Sequence, residues 1–368
     1  MRVEAERADV AAALTRMATS IRAEDGFVAD DFVVRERGGQ LSCAIDAHPG
    51  EPGRLLVSYP PRLLAPMHLI DWADRPDRME LADPAAISQA LTTPQRQLLD
   101  DWLILINAVD RTAHVRAAMP SYAISDGPLR HHLADAGYPA MRDTPTDADV
   151  RETVVTWHSM GAGPGPDGGQ RWRLIPLKHL VNHHPTGAGQ NPDPGRTAVA
   201  TSTTSDANET FENYGDLDAL QLLMTFGYVD DSAPMVHSVP VAVESPALGQ
   251  VVVRWRAPRN PRAEVARDVP VLAPVADDGG IELRHLTIRP DNRAPVAAYL
   301  AMACQSIAGM MPGPAAREAE SILDAVVDAN LAYYGRLDAL LTATPEPFIP
   351  LAEVSLLQQQ RLRAMWGS

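Results

Sequence analysis

The stretch ETFENYGDLDALQLLMTFGYV, residues 209–229, carries the pattern that decides the fold. A Tyr-Gly turn at Tyr214 and Gly215 precedes an apolar run that is predicted to be a helix, and the pair Gly227 and Tyr228 follows it. A tyrosine in this setting supplies either a reactive hydroxyl or a buried structural one that is satisfied by a hydrogen bond. Both interpretations remain open for Tyr214.

The stretch RLIPLKHLVNHHPTGAGQN, residues 173–191, places an apolar run, a lysine and three histidines close together. Lys178, the only lysine of the chain, is a catalytic amine, a contact to an acidic substrate, or a surface residue. His179 and His183 are four residues apart, so on a helix they would share a face that can bind Zn²⁺ or Fe²⁺. The full set for that alternative metal site is His158, His179, His183 and His184. No glutamate follows the first histidine, so the metalloprotease pattern is absent.

The composition is that of a folded globular protein. The chain has 368 residues, of which 45% are hydrophobic and 21% charged, enough for a sizeable core. The net charge of −15 argues against nucleic-acid binding, which needs a basic face. Apolar runs are interrupted by proline and arginine, and the N-terminus lacks an apolar signal core, so we expect a cytoplasmic protein without a membrane span. Nothing about Cys43 and Cys304 suggests a disulfide scaffold or a thiolate zinc site.

Hydrophobic periodicity divides the chain into helical and strand-rich stretches. Residues 1–24 have helical spacing, residues 26–64 contain short β-like runs between turns, and residues 67–150 are predicted to be helical. Strand-like runs separated by prolines return after about residue 230, and a helical pattern extends from Arg293 to the end. A helical region that follows a β-rich half indicates two domains, with the boundary between residues 235 and 290.

Three segments, taken in order, resemble the SET-domain proteins of the RuBisCO large-subunit lysine and actin-histidine N-methyltransferase group. The first is ETVVTWHSM, residues 152–160, which precedes a glycine-rich hairpin loop. The second is LIPLKHLVNHH, residues 174–184, which is similar to the family's apolar strand ending in Asn-His. The third is residues 209–229, where the spacing from the Tyr-Gly turn to the Gly-Tyr pair matches the family without a gap.

The resemblance implies an α+β fold. Residues 1–235 would form a SET-like β-fold with a pseudoknot and a helical insert at about 67–150, and residues 236–368 would be strands leading into a mainly helical substrate-binding-like domain. The implied activity is S-adenosylmethionine-dependent methylation of a lysine or histidine nitrogen in a protein or peptide, or of a related small amine. Methyl transfer is an in-line displacement, so catalysis is mostly alignment of the nitrogen with the sulfonium and needs no metal. We expect no nucleic-acid and no membrane partner.

The site assignments follow from the same resemblance. The resemblance implies that Tyr214 is the catalytic residue and that it faces the reacting centre. The cofactor-binding residues are Gly38, Gly39, Asn182, His183 and Tyr214. The substrate channel is lined by Trp157, His158, His179 and Tyr228.

Four positions depart from the family pattern. Gln40 stands where a second spaced glycine is expected, and Trp157 stands where the family usually has an arginine. Ala219 replaces an asparagine, and His179 replaces an acidic residue. A side chain at residue 40 could crowd a cofactor, since glycine is used where a ligand approaches the backbone closely. Two alternatives follow: a SET-derived binding protein without methyl transfer, and a metal-dependent enzyme that uses the four histidines on the same scaffold.

Overall fold

The chain divides into two compact units, and each is built from two separate parts of the sequence. The computed structural model describes residues 1–46, 51–164, 170–189, 192–254, 270–274, 280–284, 286–346 and 348–367. The first unit comprises residues 1–117 and 145–216, and the second comprises residues 118–144 and 217–368. Both contain helices and strands, so the mixed helix and strand content of the predicted α+β class is confirmed.

The elements of the described chain are numbered in chain order. The strands are β1 Arg2–Ala5, β2 Phe27–Val28, β3 Phe32–Arg37, β4 Gln40–Ile45, β5 Leu55–Tyr59, β6 Ser159–Pro164, β7 Gln170–Leu174, β8 Asn182–Ala188, β9 Thr197–Ala200, β10 Phe211–Glu212, β11 Val236–His237, β12 Val241–Ser245, β13 Gly249–Arg254, β14 Val271–Pro274, β15 Ile281–Arg284 and β16 Thr287–Ile288. The helices are α1 Ala8–Ala23, α2 Pro84–Ala90, α3 Thr93–Ala108, α4 Arg111–Ala118, α5 Pro120–Ala123, α6 Pro128–Asp135, α7 Asp147–Trp157, α8 Ala219–Phe226, α9 Arg293–Ala308, α10 Pro312–Ala343 and α11 Ile349–Trp366.

Small sheets form the β part of the first unit. Their strand orders are β1-β3-β4, β2-β5-β9, β6-β7 and β8-β10. The predicted strands between residues 26 and 64 are confirmed as β2 to β5, and the predicted glycine-rich hairpin is the β6-β7 pair. Residues 165–169 of the predicted glycine-rich loop lie outside the described residues.

Helix α3 provides the apolar face that the sequence predicts. Its residues Leu98, Leu99, Trp102, Leu105 and Ile106 are all fully buried. The helix begins with a capping box, in which the Thr92 side chain and Gln95 satisfy each other's backbone amides. It packs against α1, and Arg16 of α1 pairs with the buried Asp101 at 2.7 Å.

The second unit has one continuous hydrophobic core. The sheet β12-β13-β15-β14 packs against α10, whose predicted apolar face is confirmed by the buried Ile322, Leu323, Val326 and Leu337. Three predicted strands are described only in part, because the following residues lie outside the described ranges: 255–257 of the first strand, 269 and 275 of the second, and 285 of the third.

None of the described helices is by itself long and apolar enough to cross a membrane. Helices α9 and α10 reach that length and composition only as a pair bent by 120°.

The observed division differs from the predicted domains 1–235 and 236–368. The predicted insert, residues 67–150, is split between the units, because the apolar side chains of residues 118–144 belong to the core of the second. Leu129 and Leu133 of α6 join that core, as do Leu220 and Leu223 of α8. Burial of these faces, more than their place in the sequence, decides which unit they belong to.

The first residues of the chain also differ from the prediction. Helical spacing over residues 1–24 predicts one helix, but residues 2–5 form β1, which pairs in parallel with β3. The helix begins only at Ala8. A four-residue run does not distinguish the two periods, and pairing with a neighbouring strand decides between them.

Candidate functional site

The apolar run before Asn182 is a tight turn, and the predicted strand ending in Asn-His is therefore wrong in this detail. Leu177 has a φ of +62°, and the Lys178 N–H donates to the Pro176 carbonyl at 2.8 Å, which makes a γ-turn with positive φ. This turn is rare and strained for a side chain such as leucine. A short 3₁₀ turn, Lys178–Leu180, follows, and β8 starts at Asn182. All apolar residues of the run are buried, whichever way they face. The sequence therefore shows no alternation of apolar and polar residues that would distinguish a strand from a turn.

Lys178 lies at the end of this turn in a buried ion pair. Its ammonium contacts the carboxylate of Glu212 on β10, and the two residues are 5% and 2% exposed. Burial lowers the pKa of Lys178 and raises the pKa of Glu212, while the pairing opposes both shifts. Lys178 is thus neither a surface lysine nor a free amine. The pair ties the residue-178 turn to the segment that leads to Tyr214.

The Asn-His and Tyr-Gly segments meet, as the resemblance implies. Strand β8 pairs in parallel with β10, with Asn182 opposite Phe211. The backbone N–H of Tyr214 donates to Nδ1 of His183 at 2.9 Å, and the Tyr214 hydroxyl donates to the Val181 carbonyl at 2.5 Å. Tyr214 is half-buried, and its ring centre lies 5.3 Å from that of His183.

The contacts of His183 and Asn182 define their chemical roles. Because Nδ1 of His183 accepts a hydrogen bond, the neutral imidazole carries its proton on Nε2. His183 is 5% exposed. Asn182 is exposed, and its side-chain amide donates to the carboxylate of Glu209 at 2.5 Å. The Asn182 side chain is therefore bound to Glu209 at the surface, and it is the Asn182 backbone that pairs with β10.

Two of the predicted channel residues form a buried pair. The rings of His158 and His179 meet edge to face with centres 4.6 Å apart, and Trp102 packs against His158 at 5.9 Å. The Nδ1 of His179 bonds to the Ile175 carbonyl at 2.7 Å. Burial holds the pKa of His158 well below its usual range and lowers that of His179 to about 4, so both are neutral near pH 7.

The other two predicted channel residues, Trp157 and Tyr228, make ring contacts with other partners. Trp157 ends α7 and packs edge to face against His114 at 6.2 Å. Tyr228 belongs to the second unit, directly after Gly227. Gly227 ends α8 in the left-handed conformation with a φ of +76°, and a Cβ there would stand 2.9 Å from that of Ala118. The left-handed conformation and the close contact with Ala118 thus explain why glycine stands at residue 227.

The predicted cofactor glycines form a hairpin turn between β3 and β4. Gly38 and Gly39 have φ values of +54° and +77°, and their N–H groups donate to the carboxylates of Glu6 and Glu36 at 3.0 and 3.1 Å. A two-residue hairpin turn of this kind needs positive φ angles, which glycine adopts readily. The turn geometry therefore accounts for Gly38 and Gly39 even if no ligand binds there.

Two residues of this region have no sequence signal that could have identified them. Glu212 is one, and its importance follows only from its buried pairing with Lys178. Arg111 is the other: it opens α4, and its positive charge acts on Tyr214, His158 and His179. Burial lowers the pKa of Arg111, and the proximity of Tyr214 opposes that shift.

The four histidines do not assemble into one site. His158 and His179 meet, whereas His183 packs against Tyr214 and His184 against Phe211. Within the part of the chain that the structure describes, no three histidine, cysteine or acidic side chains are arranged to hold one metal ion. The i, i+4 spacing does not produce a shared face, because the segment is a turn followed by a strand.

Comparison with known proteins finds distant likeness in structure and none in sequence. No family model matches the sequence, and no curated protein matches it. A solved structure, the SET domain of LSMT bound to lysine and AdoHcy, aligns with a TM-score of 0.44 and 11% sequence identity. The alignment covers 97% of this chain and 90% of that one. A likeness at this level assigns neither an activity nor residue roles.

Proposed function

We propose that the chain is a SET-type N-methyltransferase that uses S-adenosylmethionine to methylate a lysine or histidine nitrogen, or a related small amine. The observation that carries the proposal is the meeting of His183 and Tyr214 across β8 and β10. The three-segment sequence resemblance independently predicts this meeting. In the proposed pseudoknot the Asn-His and Tyr-Gly segments meet, and the parallel β8-β10 pairing supports that part of the proposal.

The groups present fit a sulfonium cofactor and a neutral amine. The Tyr214 hydroxyl donates its hydrogen bond to the Val181 carbonyl, so towards a ligand its oxygen can act only as an acceptor. These lone pairs can accept an N–H of the amine and orient the nitrogen lone pair. His183 is neutral with its proton on Nε2, and it adds no positive charge that would repel a sulfonium.

In this mechanism the chain aligns reactants. S-adenosylmethionine supplies an electrophilic methyl group when bound. Tyr214 holds the amine with its lone pair free. The hydrogen bond from the Tyr214 N–H to His183 Nδ1 fixes its backbone, and the bond from its hydroxyl to the Val181 carbonyl fixes its ring. The Lys178–Glu212 pair anchors both segments behind it. The asparagine and histidine of β8 would contact the cofactor, largely through backbone groups.

Cofactor binding is the first test of the proposal. Titration calorimetry with S-adenosylmethionine and S-adenosylhomocysteine should give micromolar or tighter binding, about −8 kcal/mol. His183→Ala should weaken that affinity about tenfold or more, whereas His184→Ala, at the adjacent position, should leave it unchanged. Absence of heat and of any thermal shift with the wild-type protein would refute the cofactor assignment.

Turnover is the second test, and it separates the enzyme from a binding protein. Tyr214→Phe should lower the methylation rate about 100-fold or more while the S-adenosylhomocysteine affinity stays within about threefold. Tyr59→Phe is the matched control, because the buried Tyr59 hydroxyl also donates to a backbone carbonyl, that of Pro176, at 2.8 Å. Unchanged turnover in Tyr214→Phe would remove this residue from catalysis.

One observation favours the second candidate, a binding protein without methyl transfer. The Gly38-Gly39 turn, expected at the cofactor, is bound to Glu6 and Glu36 instead. If the wild-type protein binds S-adenosylhomocysteine but methylates neither free lysine, histidine nor peptides that contain them, this candidate replaces the enzyme.

A further inference from the structure

A cavity of about 470 Å³ lies within the first unit, between the segment that follows β5, the β6-β7 hairpin and the start of β9. Small-molecule sites in proteins have volumes of about 300–1,000 Å³, so the cavity has room for an organic ligand. None of the residues assigned to the cofactor or to the substrate channel lines it. The proposed function therefore leaves this cavity without a role.

The charge of the cavity lining is wholly positive. Three arginines line the cavity, and no acidic residue does so among the described ones. The chain as a whole carries a net charge of −15, so its composition does not predict such a lining. In the cavity of about 570 Å³ beside α3, also in the first unit, three lining arginines are balanced by three acidic residues, Asp9, Glu80 and Asp100. An unbalanced set of arginines is thus a property of the 470 Å³ cavity.

Two of its arginines, Arg62 and Arg196, meet at one residue. Arg62 donates to the Asp25 carboxylate at 2.8 Å, and Arg196 donates to the Asp25 carbonyl at 2.6 Å. Glu24 lies 3.7 Å from Arg62, and Asp193 lies 3.3 Å from Arg196. A guanidinium has five N–H donors, so these contacts hold both groups in place and leave further donors on each.

The third arginine, Arg173, has no acidic partner. Within the described ranges it forms no ion pair, and it is half-buried. Met160 lies directly opposite Arg173 in the β6-β7 pair, so the two side chains project from the same face of the hairpin. The Thr197 hydroxyl contacts the Met160 sulfur at 3.7 Å, so this face is turned towards the start of β9, where the cavity lies. A guanidinium in this position can bind a carboxylate or phosphate through two parallel hydrogen bonds.

The rest of the lining includes apolar surface from Pro61, Leu64 and Met160. We propose that the cavity binds an organic anion, in which a phosphate or carboxylate group is attached to an apolar body. The anionic oxygens accept from the Arg173 guanidinium and from the remaining N–H groups of Arg62 and Arg196, and the body lies on the apolar surface. The inference goes beyond the proposed function, because the site uses none of the residues that the methyl-transfer mechanism invokes.

The test uses probes with one ring and different polar groups. Phenyl phosphate and benzoate are the anions, and benzyl alcohol is the neutral analogue. Titration calorimetry at constant ionic strength is run on the wild-type protein, Arg173→Gln and Arg62→Gln. Arg173→Gln leaves no carboxylate without its partner, and the Arg62 side chain is 53% exposed, so both variants should fold. The matched control is Arg78→Gln, since Arg78 lines the balanced cavity and its side chain is 58% exposed.

We expect the wild-type protein to bind at least one anionic probe with a millimolar or lower dissociation constant, and benzyl alcohol at least about tenfold more weakly. Arg173→Gln and Arg62→Gln should each weaken binding of the anion about tenfold, because each removes a charge-assisted hydrogen bond. Arg78→Gln should change it less than about twofold. A preference for phenyl phosphate identifies a phosphate ester as the class of ligand, and a preference for benzoate identifies a carboxylate.

Two results would overturn the proposal. One is anionic probes that bind no more tightly than benzyl alcohol. The other is an equal loss in Arg173→Gln, Arg62→Gln and Arg78→Gln, all folded by circular dichroism, which would indicate general attraction to surface arginines. S-adenosylhomocysteine affinity should be the same in all these proteins. If that cofactor does not bind even to the wild-type protein, the methyltransferase assignment falls and the anion measurements still decide this site.

Discussion

The Lys178–Glu212 pair is the most deeply buried ion pair among the described residues, since both partners are almost completely buried. A buried charge that loses its partner cannot be hydrated, and such losses cost about 3–5 kcal/mol. We expect Lys178→Met or Glu212→Gln to lower the free energy of unfolding by that amount, measured by urea denaturation. The double variant Lys178→Met/Glu212→Gln should lose less than the sum of the two single losses, since no unpaired charge remains.

A surface pair provides the comparison. Arg116 and Asp147 are each more than a third exposed, and Arg116→Gln should cost less than about 1 kcal/mol. Strictly additive losses for the two Lys178–Glu212 substitutions would contradict a coupled buried pair. They would mean that each side chain is hydrated separately in solution.

The histidine pair predicts how stability depends on pH. His158 and His179 have pKa values lowered below 6.5, that of His179 to about 4, so the folded state keeps them neutral where the unfolded chain takes up protons. Stability should therefore fall as the pH drops from about 6.5 towards 4, by about 1.4 kcal/mol for each unit of pKa difference. Urea midpoints measured across this window for the wild-type protein and His179→Asn check the effect. A slope that His179→Asn leaves unchanged would exclude His179 as its source.

At the level of elements, the approach of β8 to β10 depends on Gly187. A Cβ on this residue would stand 2.5 Å from the carbonyl carbon of Glu212 and 2.8 Å from the amide nitrogen of Asn213. Gly187→Ala must push the strands apart, and we expect a loss of about 1–3 kcal/mol in stability together with weaker S-adenosylhomocysteine binding. Gly189→Ala is the matched control, because that site has no neighbour within 4 Å and no positive φ. Equal effects of the two substitutions would show that helix and strand propensity, not the close approach, is responsible.

The sequence predicts long periodic elements well and short irregular ones poorly. The faces of α3 and α10 repeat over several turns, so the apolar pattern identifies them. The γ-turn at Leu177 has no such pattern, because buried apolar residues surround it on both sides. The meeting of His183 with Tyr214 could be predicted only from family resemblance, and Arg111 and Glu212 became visible only when tertiary packing buried them.

For the whole molecule, the discontinuous units predict that the chain cannot be divided at residue 235. A chain ending at Met235 retains α6 and α8 but lacks β13, α10 and α11, against which their apolar residues form one core. Such a chain would expose Leu129, Leu133, Leu220 and Leu223 to water, and each such side chain is worth about 1.5–3 kcal/mol when buried. We expect residues 1–235 to aggregate or to lack a cooperative urea transition, and co-expression of residues 236–368 as a separate chain to restore solubility. A monomeric 1–235 chain with a sharp transition would instead support the boundary that the sequence pattern indicates, and would require the core of the second unit to form without residues 118–144.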